Sequence, residues 1–266
     1  MKRIAWLTDL HLNFLTPTEL SAFLAKLTEI RADAVLVSGD IAESRDVTQF
    51  LQKLADAAGS TVYFVLGNHD YYFSSIRAVR EAIVELCEQD PRLIWLNNAG
   101  VVELTPQVGL VGHDGWADAR LGDYERSHVM MNDYVLIEEF AGVDKQTRWP
   151  LLHAQADAAA EQMRQVLPKA LDRYERVVLV THVPPFRDAC WHEGTISDDE
   201  WLPHFTSKAM GDALLEIMAD YPDRRLIVLC GHTHGRGETH PADNLVVLTG
   251  GAEYGNPEIQ RVFEFE

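Results

Sequence analysis

The chain has 266 residues, with 23 Lys or Arg against 41 Asp or Glu, so its formal net charge is −18 with histidine neutral. This charge disfavours nonspecific binding to the phosphate backbone of nucleic acid. With 47% hydrophobic and 24% charged residues, the composition is that of an ordinary globular protein and excludes disordered and collagen-like classes. No apolar run approaches the roughly 18 residues that cross a membrane.

The N-terminal residues and the cysteines predict the cellular compartment. After Lys2 and Arg3, only residues 4–7 are apolar before Thr8, which is too short for the apolar region of a signal peptide. The three cysteines are an odd number without a C-x-x-C pair, which argues against a disulfide framework and against a cysteine zinc site. We therefore expect a cytoplasmic protein.

In the first hundred residues, short β-branched runs alternate with helical patterns. The predicted strands are residues 4–7, 34–37, 62–66 and 93–96. The predicted helices are residues 17–30, 46–58 and 75–88. The first helix is preceded by Thr16, an N-cap residue, and Glu19 can complete a capping box. This alternation predicts βαβ units, in which ligands bind beyond the carboxyl ends of the strands.

Two stretches farther along the chain are irregular, residues 113–152 and residues 184–206. An alanine-rich helix is predicted from near His153, and another helix at 207–220. The remaining predicted strands are residues 177–181, 226–230, 235–239, 245–249 and 260–265. Because no helix separates the last three, part of the sheet system is expected to be antiparallel. We predict one domain over residues 1–266, with the two irregular stretches as cap or loop insertions around the substrate pocket.

Polar clusters lie at the ends of five predicted strands, where sheet-edge loops can bring them together. The clusters are Asp9-Leu10-His11, Gly39-Asp40, Gly67-Asn68-His69-Asp70, Thr181-His182 and Gly231-His232-Thr233-His234. Carboxylate oxygen and neutral imidazole nitrogen are ligands of divalent metals. From the composition, Gly-Asn-His-Asp is expected about 0.001 times by chance and Gly-His-x-His about 0.03 times. These two motifs carry the prediction of a metal site.

The ordered set D-x-H, G-D, G-N-H-[DE], a lone His and G-H-x-H resembles the signature of the calcineurin-like metallophosphoesterase superfamily. The resemblance implies an α/β fold, a four-layer sandwich of two mixed β-sheets flanked by helices, with a binuclear metal site above the sheet edges. The arginine and closing glycine of the protein Ser/Thr phosphatase motif G-D-x-V-D-R-G are absent. The chain looks more like the bacterial branch that includes class III cyclic-nucleotide phosphodiesterases.

The resemblance also implies a role for each residue of the motifs. The ligands of the first metal would be Asp9, His11 and His234. The ligands of the second metal would be Asn68, His182 and His232. Asp40 would bridge the two metals and so take part in catalysis. His69, which binds no metal, would contact the scissile phosphate beside Asn68 and stabilise charge or protonate the leaving oxygen. The implied cofactors are two divalent or trivalent ions, Mn or Fe, with Zn as the alternative.

The implied reaction is hydrolysis of phosphodiester bonds in a small anionic substrate of nucleotide type, by a hydroxide that bridges the metals. The alternatives are a phosphomonoesterase acting on a nucleotide, sugar phosphate or phosphoprotein, and a catalytically inactive scaffold of the same fold. Glu43 occupies the place of the phosphatase aspartate that orients the catalytic histidine, so it either pairs with His69 or is an exposed loop carboxylate.

Further candidates for substrate contact lie outside the motifs. Those for gripping phosphate are Arg120, Arg126, Arg187 and Arg236, of which Arg236 is nearest in sequence to the metal ligands. The competing interpretation of each is a solvated arginine paired with a carboxylate. His113, at the end of the apolar run 108–112, could line the pocket. Aromatic residues of the irregular stretches could stack on a nucleobase or pack the cap equally well.

Overall fold

The computed structural model describes residues 1–266 and contains thirteen strands and eight α-helices. The strands are β1 (Lys2–Leu7), β2 (Ala34–Ser38), β3 (Thr61–Val65), β4 (Leu93–Trp95), β5 (Val102–Thr105), β6 (Val108–Gly112), β7 (Arg176–Val180), β8 (Trp191–His192), β9 (Thr195–Ile196), β10 (Arg225–Cys230), β11 (Gly237–Ala242), β12 (Leu245–Thr249) and β13 (Ile259–Phe265). The helices are α1 (Pro17–Ile30), α2 (Val47–Ala58), α3 (Ile76–Gln89), α4 (Leu96–Ala99), α5 (Asp133–Leu136), α6 (Lys145–Arg173), α7 (Leu202–Phe205) and α8 (Lys208–Ala219).

The strands form two mixed sheets and a small hairpin. The first sheet has the order β13-β1-β2-β3-β4, in which only β13 is antiparallel to its neighbour. The second sheet has the order β11-β12-β10-β7-β6-β5, with antiparallel pairs at both edges. Its four central strands are parallel. Strands β8 and β9 form the hairpin.

Three buried clusters show that the two sheets and their helices form four layers. Between the sheets, alternate residues such as Trp6 and Leu36 of the first pack with Val178 and Leu229 of the second. The opposite faces of β1, β2 and β3 pack against α1, α2 and α3. The opposite faces of β7, β10 and β12 pack against α6 and α8. The predicted sandwich of two mixed sheets flanked by helices is therefore confirmed.

Most predicted elements match the structure within two residues at each end. At α1 the capping box is present, since the Thr16 hydroxyl accepts from Glu19 N and the Glu19 carboxylate accepts from Thr16 N. The strand predicted at 235–239 lies later, at Gly237–Ala242. Not predicted from the sequence were β5, β6, the hairpin and the three short helices α4, α5 and α7.

The start of α6 was predicted too late. The helix begins at Lys145, where the Asp144 carboxylate accepts a hydrogen bond from Thr147 N at 2.8 Å. It continues through Pro150 and Pro168, although proline usually ends a helix. The first turns of α6 therefore lie within the stretch predicted to be irregular. No helix of the chain is both long and apolar enough to span a membrane.

Candidate metal centre

The predicted ligands lie in loops that follow β1, β2, β3, β7 and β10, whose carboxyl ends meet at one edge of the sandwich. The loops after β1 and β2 are tied together, because Asp9 N donates to Gly39 O and His11 N donates to Asp40 O, both at 3.0 Å. Five of the predicted ligands have left-handed backbones: Asp9, His11, Asp40, His232 and His234. This conformation is costly for residues other than glycine, and such strain concentrates at functional sites.

Two glycines of the motifs are required by the close approach of ligand carboxylates. A Cβ added to Gly67 would collide with the Asp40 carboxylate, and one added to Gly231 would collide with the Asp9 carboxylate. The last residue of Gly67-Asn68-His69-Asp70 has a structural role. The Asp70 carboxylate accepts hydrogen bonds from three backbone N–H groups in the loops after β2 and β3, those of Ile41, Ala42 and Gly67. The rare motif thus builds the loop as well as supplying ligands.

The first position of the centre is formed by Asp9, His11, Asp40 and His234, whose ligand atoms all lie within 4.8 Å of one another. His11 Nε2 and His234 Nε2 face each other at 3.1 Å. His234 Nε2 lies 3.5 Å from Asp9 Oδ1, and His11 Nε2 lies 3.8 Å from Asp40 Oδ2. Burial lowers the pKa of His11 to about 3, so this ring is neutral and can present a lone pair.

The second position is formed by Asn68, His182 and His232, again beside Asp40. Asn68 Oδ1 lies 3.1 Å from His182 Nε2 and 2.9 Å from His232 Nδ1. The opposite ring nitrogens face outward, since His182 Nδ1 lies 2.8 Å from the Ser38 carbonyl and His232 Nε2 lies 2.9 Å from the His204 carbonyl. Such outer partners fix the tautomer, so His182 uses Nε2 and His232 uses Nδ1 toward the centre.

Asp40 lies between the two positions. Its Oδ1 accepts a hydrogen bond from His69 N at 2.9 Å, which leaves Oδ2 facing His11 and His182 at 3.8 and 3.4 Å. Burial by itself would raise the pKa of Asp40, but the nearby imidazoles of His182, His69 and His11 hold this pKa well below its usual value. Asp40 is therefore ionised, and its Oδ2 faces both groups of predicted ligands.

The electrostatics of the centre fit bound cations. Burial would lower the pKa of His182, but the carboxylates of Asp40 and Asp9 and the Ser38 carbonyl raise it to about 10. Burial lowers the pKa of His232 to about 3, so its neutral Nδ1 faces Asn68 Oδ1 as one acceptor facing another. The negative potential that holds a proton on buried His182 also attracts a divalent cation. Nitrogen and oxygen donors in this arrangement suit Mn, Fe and Zn.

His69 lies at the centre but outside both groups of ligands. Its Nε2 is 4.0 Å from Asp40 Oδ2, its ring packs against that of Tyr72 at a centroid distance of 4.3 Å, and its side chain is partly exposed. His69 Nδ1 is buried with no hydrogen-bond partner. The suggested pairing of His69 with Glu43 is therefore absent from the structure.

The other substrate candidates make no hydrogen bond or ion pair to the predicted ligands, although Trp116 lines a small cavity beside Asn68, His182 and His232. The buried His113 accepts a hydrogen bond from Gly115 N, and burial lowers its pKa to about 4. Each candidate arginine pairs with a carboxylate. The pairs are Arg120 with Asp118 and Asp157, Arg126 with Asp123, Arg187 with Asp199, and Arg236 with Glu258. Three aromatic candidates, Trp116, Tyr124 and Tyr134, pack in the core.

Sequence reasoning missed several residues that contact the ligands. Asp133 and Tyr72 hydrogen-bond the Asn68 carboxamide. Tyr254 is about half exposed, and its ring lies 4.5 Å from that of His11 and 5.3 Å from that of the exposed Phe14, centroid to centroid. None of these residues belongs to a rare motif, and the only sequence signal was the aromatic and charged composition around Asp133.

Comparison with known proteins identifies the family. The model of the calcineurin-like phosphoesterase family matches residues 2–236, most of the sequence, so the chain belongs to this family. It is thereby a metal-dependent phosphoric ester hydrolase by family, as the motifs predicted. The sequence matches no curated protein.

Solved structures share the fold at low sequence identity. The phosphopantetheinyl hydrolase of Mycobacterium tuberculosis is 17% identical with a TM-score of 0.67, over 95% of this chain and 89% of that chain. A dimetal phosphatase from Danio rerio is 15% identical with a TM-score of 0.60, over 96% of this chain and 89% of that chain. A protein from Thermus thermophilus is 16% identical with a TM-score of 0.54, over 94% of this chain and 89% of that chain.

Proposed function

We propose that the protein hydrolyses phosphodiester bonds of a small substrate of nucleotide type at a centre of two metal ions. The proposal rests on one observation: six donor side chains from four strand ends surround Asp40, and His69 lies beside them without being a ligand. An inactive scaffold has no physical need for such a complete set. The natural ions proposed are Mn or Fe, and the proposed location is the cytoplasm.

Different residues of the chain would bind the cations and contact the substrate. The first position would use Asp9, His11 and His234, the second would use Asn68, His182 and His232, and Asp40 Oδ2 would serve both. Two cations in these positions supply Lewis acidity, which activates water as a nucleophile and polarises a phosphoryl oxygen.

His69 would act on the substrate directly. Its partly exposed imidazole can donate a hydrogen bond from Nε2 to a phosphoryl oxygen, or a proton to the oxygen that leaves. The adjacent ring of Tyr72 and the hydrogen bond from His69 N to Asp40 keep this imidazole beside the proposed ligands. His69 therefore contributes a mobile proton that the metal ligands cannot provide.

The preference for a diester is supported by the charge around the centre. A monoester carries about −1.5 to −2 charge near neutral pH, whereas a diester phosphate carries one charge. The four arginines that could match a second charge are each paired with a carboxylate, and the nearest in sequence, Arg236, bonds Glu258 at 3.0 Å. None of these guanidinium groups is thus offered to a doubly charged phosphate.

An organic group on the other side of the phosphate would meet an aromatic surface. Tyr254 and Phe14 are both exposed and lie edge to face beside His11. Aromatic rings of this kind can stack on a nucleobase. This surface supports a nucleotide-type substrate.

The test compares two chromogenic esters. The protein is stripped with a chelator, reloaded with Mn²⁺, and assayed for kcat/KM on bis-p-nitrophenyl phosphate and on p-nitrophenyl phosphate, with the stripped protein as control. A higher value for the diester supports the proposal. A higher value for the monoester would favour the phosphomonoesterase. Absence of hydrolysis of either ester by the reloaded protein would favour the inactive scaffold.

A further inference from the structure

The carboxamide of Asn68 is held by residues that belong to no motif. Its Nδ2 donates to Asp133 Oδ1 at 2.8 Å and to the Tyr72 hydroxyl at 3.1 Å, which uses both of its protons. The opposite atom, Oδ1, is thereby turned toward His182 and His232. Asp133 is 7% exposed and lies in α5, within the segment 113–152.

The two ends of a carboxamide have nearly the same shape and opposite polarity. Nothing steric prevents such a group from rotating by 180°, so its orientation is set by its hydrogen bonds. Only the oxygen can coordinate a cation, and an NH₂ group turned inward would repel one. The acceptor on the outer side of Asn68 therefore decides whether this residue is a ligand.

We propose that Asp133 is a positioning residue for the second metal position, where it holds Asn68 Oδ1 toward the cation through the hydrogen bond from Asn68 Nδ2. Tyr72 assists, because its hydroxyl donates to the same Asp133 Oδ1 at 2.7 Å while accepting from Asn68. The inference rests on the metal centre proposed above. It assigns to segment 113–152 a function in metal binding beyond that of lining a substrate pocket.

Tyr134, the next residue of α5, is linked through His204 to a second proposed ligand, His232. The Tyr134 hydroxyl hydrogen-bonds His204 Nδ1, and Ser127 contacts His204 Nε2 at 3.0 Å. The His204 carbonyl in turn accepts from His232 Nε2 and directs Nδ1 of that ring to the centre. Consecutive residues of one helical turn thus reach two of the three ligands of the second position.

The first position has no such outer support. His11 Nδ1 is buried without a hydrogen-bond partner, and Asp9 is held by Thr8 and by the backbone N–H of His232. These contacts come from the loops that carry the ligands themselves. Removal of Asp133 should therefore weaken the second position and leave the first intact.

The experiment measures metal binding and folding rather than hydrolysis. Chelator-stripped wild type, Asp133→Ala and Asp133→Asn are titrated with Mn²⁺, and bound metal is counted by plasma mass spectrometry while electron paramagnetic resonance distinguishes single from paired ions. We expect wild type to bind two ions. Asp133→Ala should bind the second about 10–100-fold more weakly, as is typical for loss of an outer hydrogen-bond partner. Asp133→Asn should behave like wild type, because its Oδ1 can accept the same two hydrogen bonds.

Asp118→Ala is the matched control. Asp118 is equally buried in the same segment, but its carboxylate bonds Ala209 N and Arg120 and contacts no ligand. We expect this variant to bind both ions normally. If Asp133→Ala does not fold, as judged by circular dichroism, Tyr72→Phe replaces it, since it removes one acceptor from Asn68 and keeps the ring. Its second ion should then be bound more weakly than in wild type.

Three results would overturn the proposal. Equal affinity for both ions in wild type and Asp133→Ala would show that Asn68 needs no outer acceptor. A loss in Asp133→Asn as large as in Asp133→Ala would show that charge, rather than hydrogen bonding, matters. Failure of the wild type itself to bind metal would overturn the metal centre and with it this inference. The wild-type titration alone distinguishes this result from the other two.

Discussion

The two positions of the proposed metal centre are built from different parts of the molecule. The first uses ligands near the two ends of the sequence, on loops that hydrogen-bond to one another, and its His234 is partly exposed beside Tyr254. The second is buried, and its proposed ligands Asn68 and His232 hydrogen-bond outward to Asp133 and to the His204 carbonyl. Only the second position is thus contacted from the segments 113–152 and 184–206.

The residue type of a ligand alone does not determine its electrostatic properties at a metal site. His11 and His182 are the same residue type and equally buried, yet burial dominates the pKa of one and the carboxylates dominate the pKa of the other. At His182 the pKa is raised by Asp40, which lies closer to it than to His11, by Asp9 and by the Ser38 carbonyl. We therefore expect the two positions to differ in metal affinity.

The largest effect is expected from Asp40→Ala, which removes the residue that both positions share. Both ions should be lost, and with them most of a rate enhancement that is at least about 10⁶-fold for typical enzymes. Plasma mass spectrometry and diester hydrolysis measure the two losses. Asp46→Ala, in the same loop and without a side-chain cap bond, is the control. Two ions retained in Asp40→Ala would contradict the bridging role.

His69→Ala tests a residue that belongs to neither position. Both ions should remain, and turnover should fall by roughly 10²–10⁴-fold, as for loss of a general acid. The loss should be larger for an alkyl leaving group than for p-nitrophenolate, which leaves without a proton. His128→Ala, at a highly exposed histidine, is the control. Normal turnover in His69→Ala would remove the catalytic role from this residue.

Tyr254→Ala tests whether the substrate contacts the exposed side of the first position. Loss of an aromatic contact of about 0.5–1.5 kcal/mol corresponds to a rise in KM of roughly 2–10-fold for a nucleotide-type diester. Metal content and kcat should stay unchanged, and Tyr254→Phe should retain the wild-type KM because the ring remains. An unchanged KM in Tyr254→Ala would mean that substrate does not reach this surface.

The smallest expected effect is on the pH dependence of the free energy of unfolding, and it comes from His113, which lies outside both positions. Burial lowers its pKa from the ordinary histidine value of about 6.5 to about 4, so between these two pH values the unfolded chain binds a proton that the folded chain does not. The contribution of His113 to the free energy of unfolding therefore falls as the pH is lowered through this range, by up to about 1.4 kcal/mol per pH unit.

Urea unfolding of wild type and His113→Asn across this pH range isolates the contribution. The Asn side chain can still accept from Gly115 N but does not titrate, so its stability should decline less steeply toward acid pH. The comparison with the variant is required because Asp70 has the opposite effect. Burial raises the pKa of Asp70 to about 8, so its contribution to the free energy of unfolding increases as the pH is lowered over the same range. Parallel curves would contradict the burial effect on His113.

Much of the fold was predictable, because hydrophobic period and capping residues are local signals. Thr16 and Glu19 specified the start of α1, and β12 was predicted at its observed bounds. The start of α6 was not predictable in this way, since the sequence signal of Pro150 opposes a helix. There the Asp144 cap and the tertiary packing of residues such as Leu152 and Ala156 prevail.

For the candidate site, the motifs named the residues that the structure brings together, but not those that orient them. Asp133 lies 65 residues from Asn68, and a lone aspartate has no characteristic neighbours in the sequence. Tyr254 likewise reaches His11 only because the chain returns across the sheet edges. Contacts between distant single residues depend on tertiary structure, and a single sequence carries no trace of them.

Two proposed ligands of the first position are synthesised at very different times during translation. His11 and His234 lie 3.1 Å apart although 223 residues separate them. At a synthesis rate of about 5–20 residues per second, the nascent chain carries the first of these histidines for roughly 10–45 s before the second is made. An ion captured early on the ribosome would find only part of its coordination sphere. Loading of this position is therefore a late step, after most of the protein has been translated.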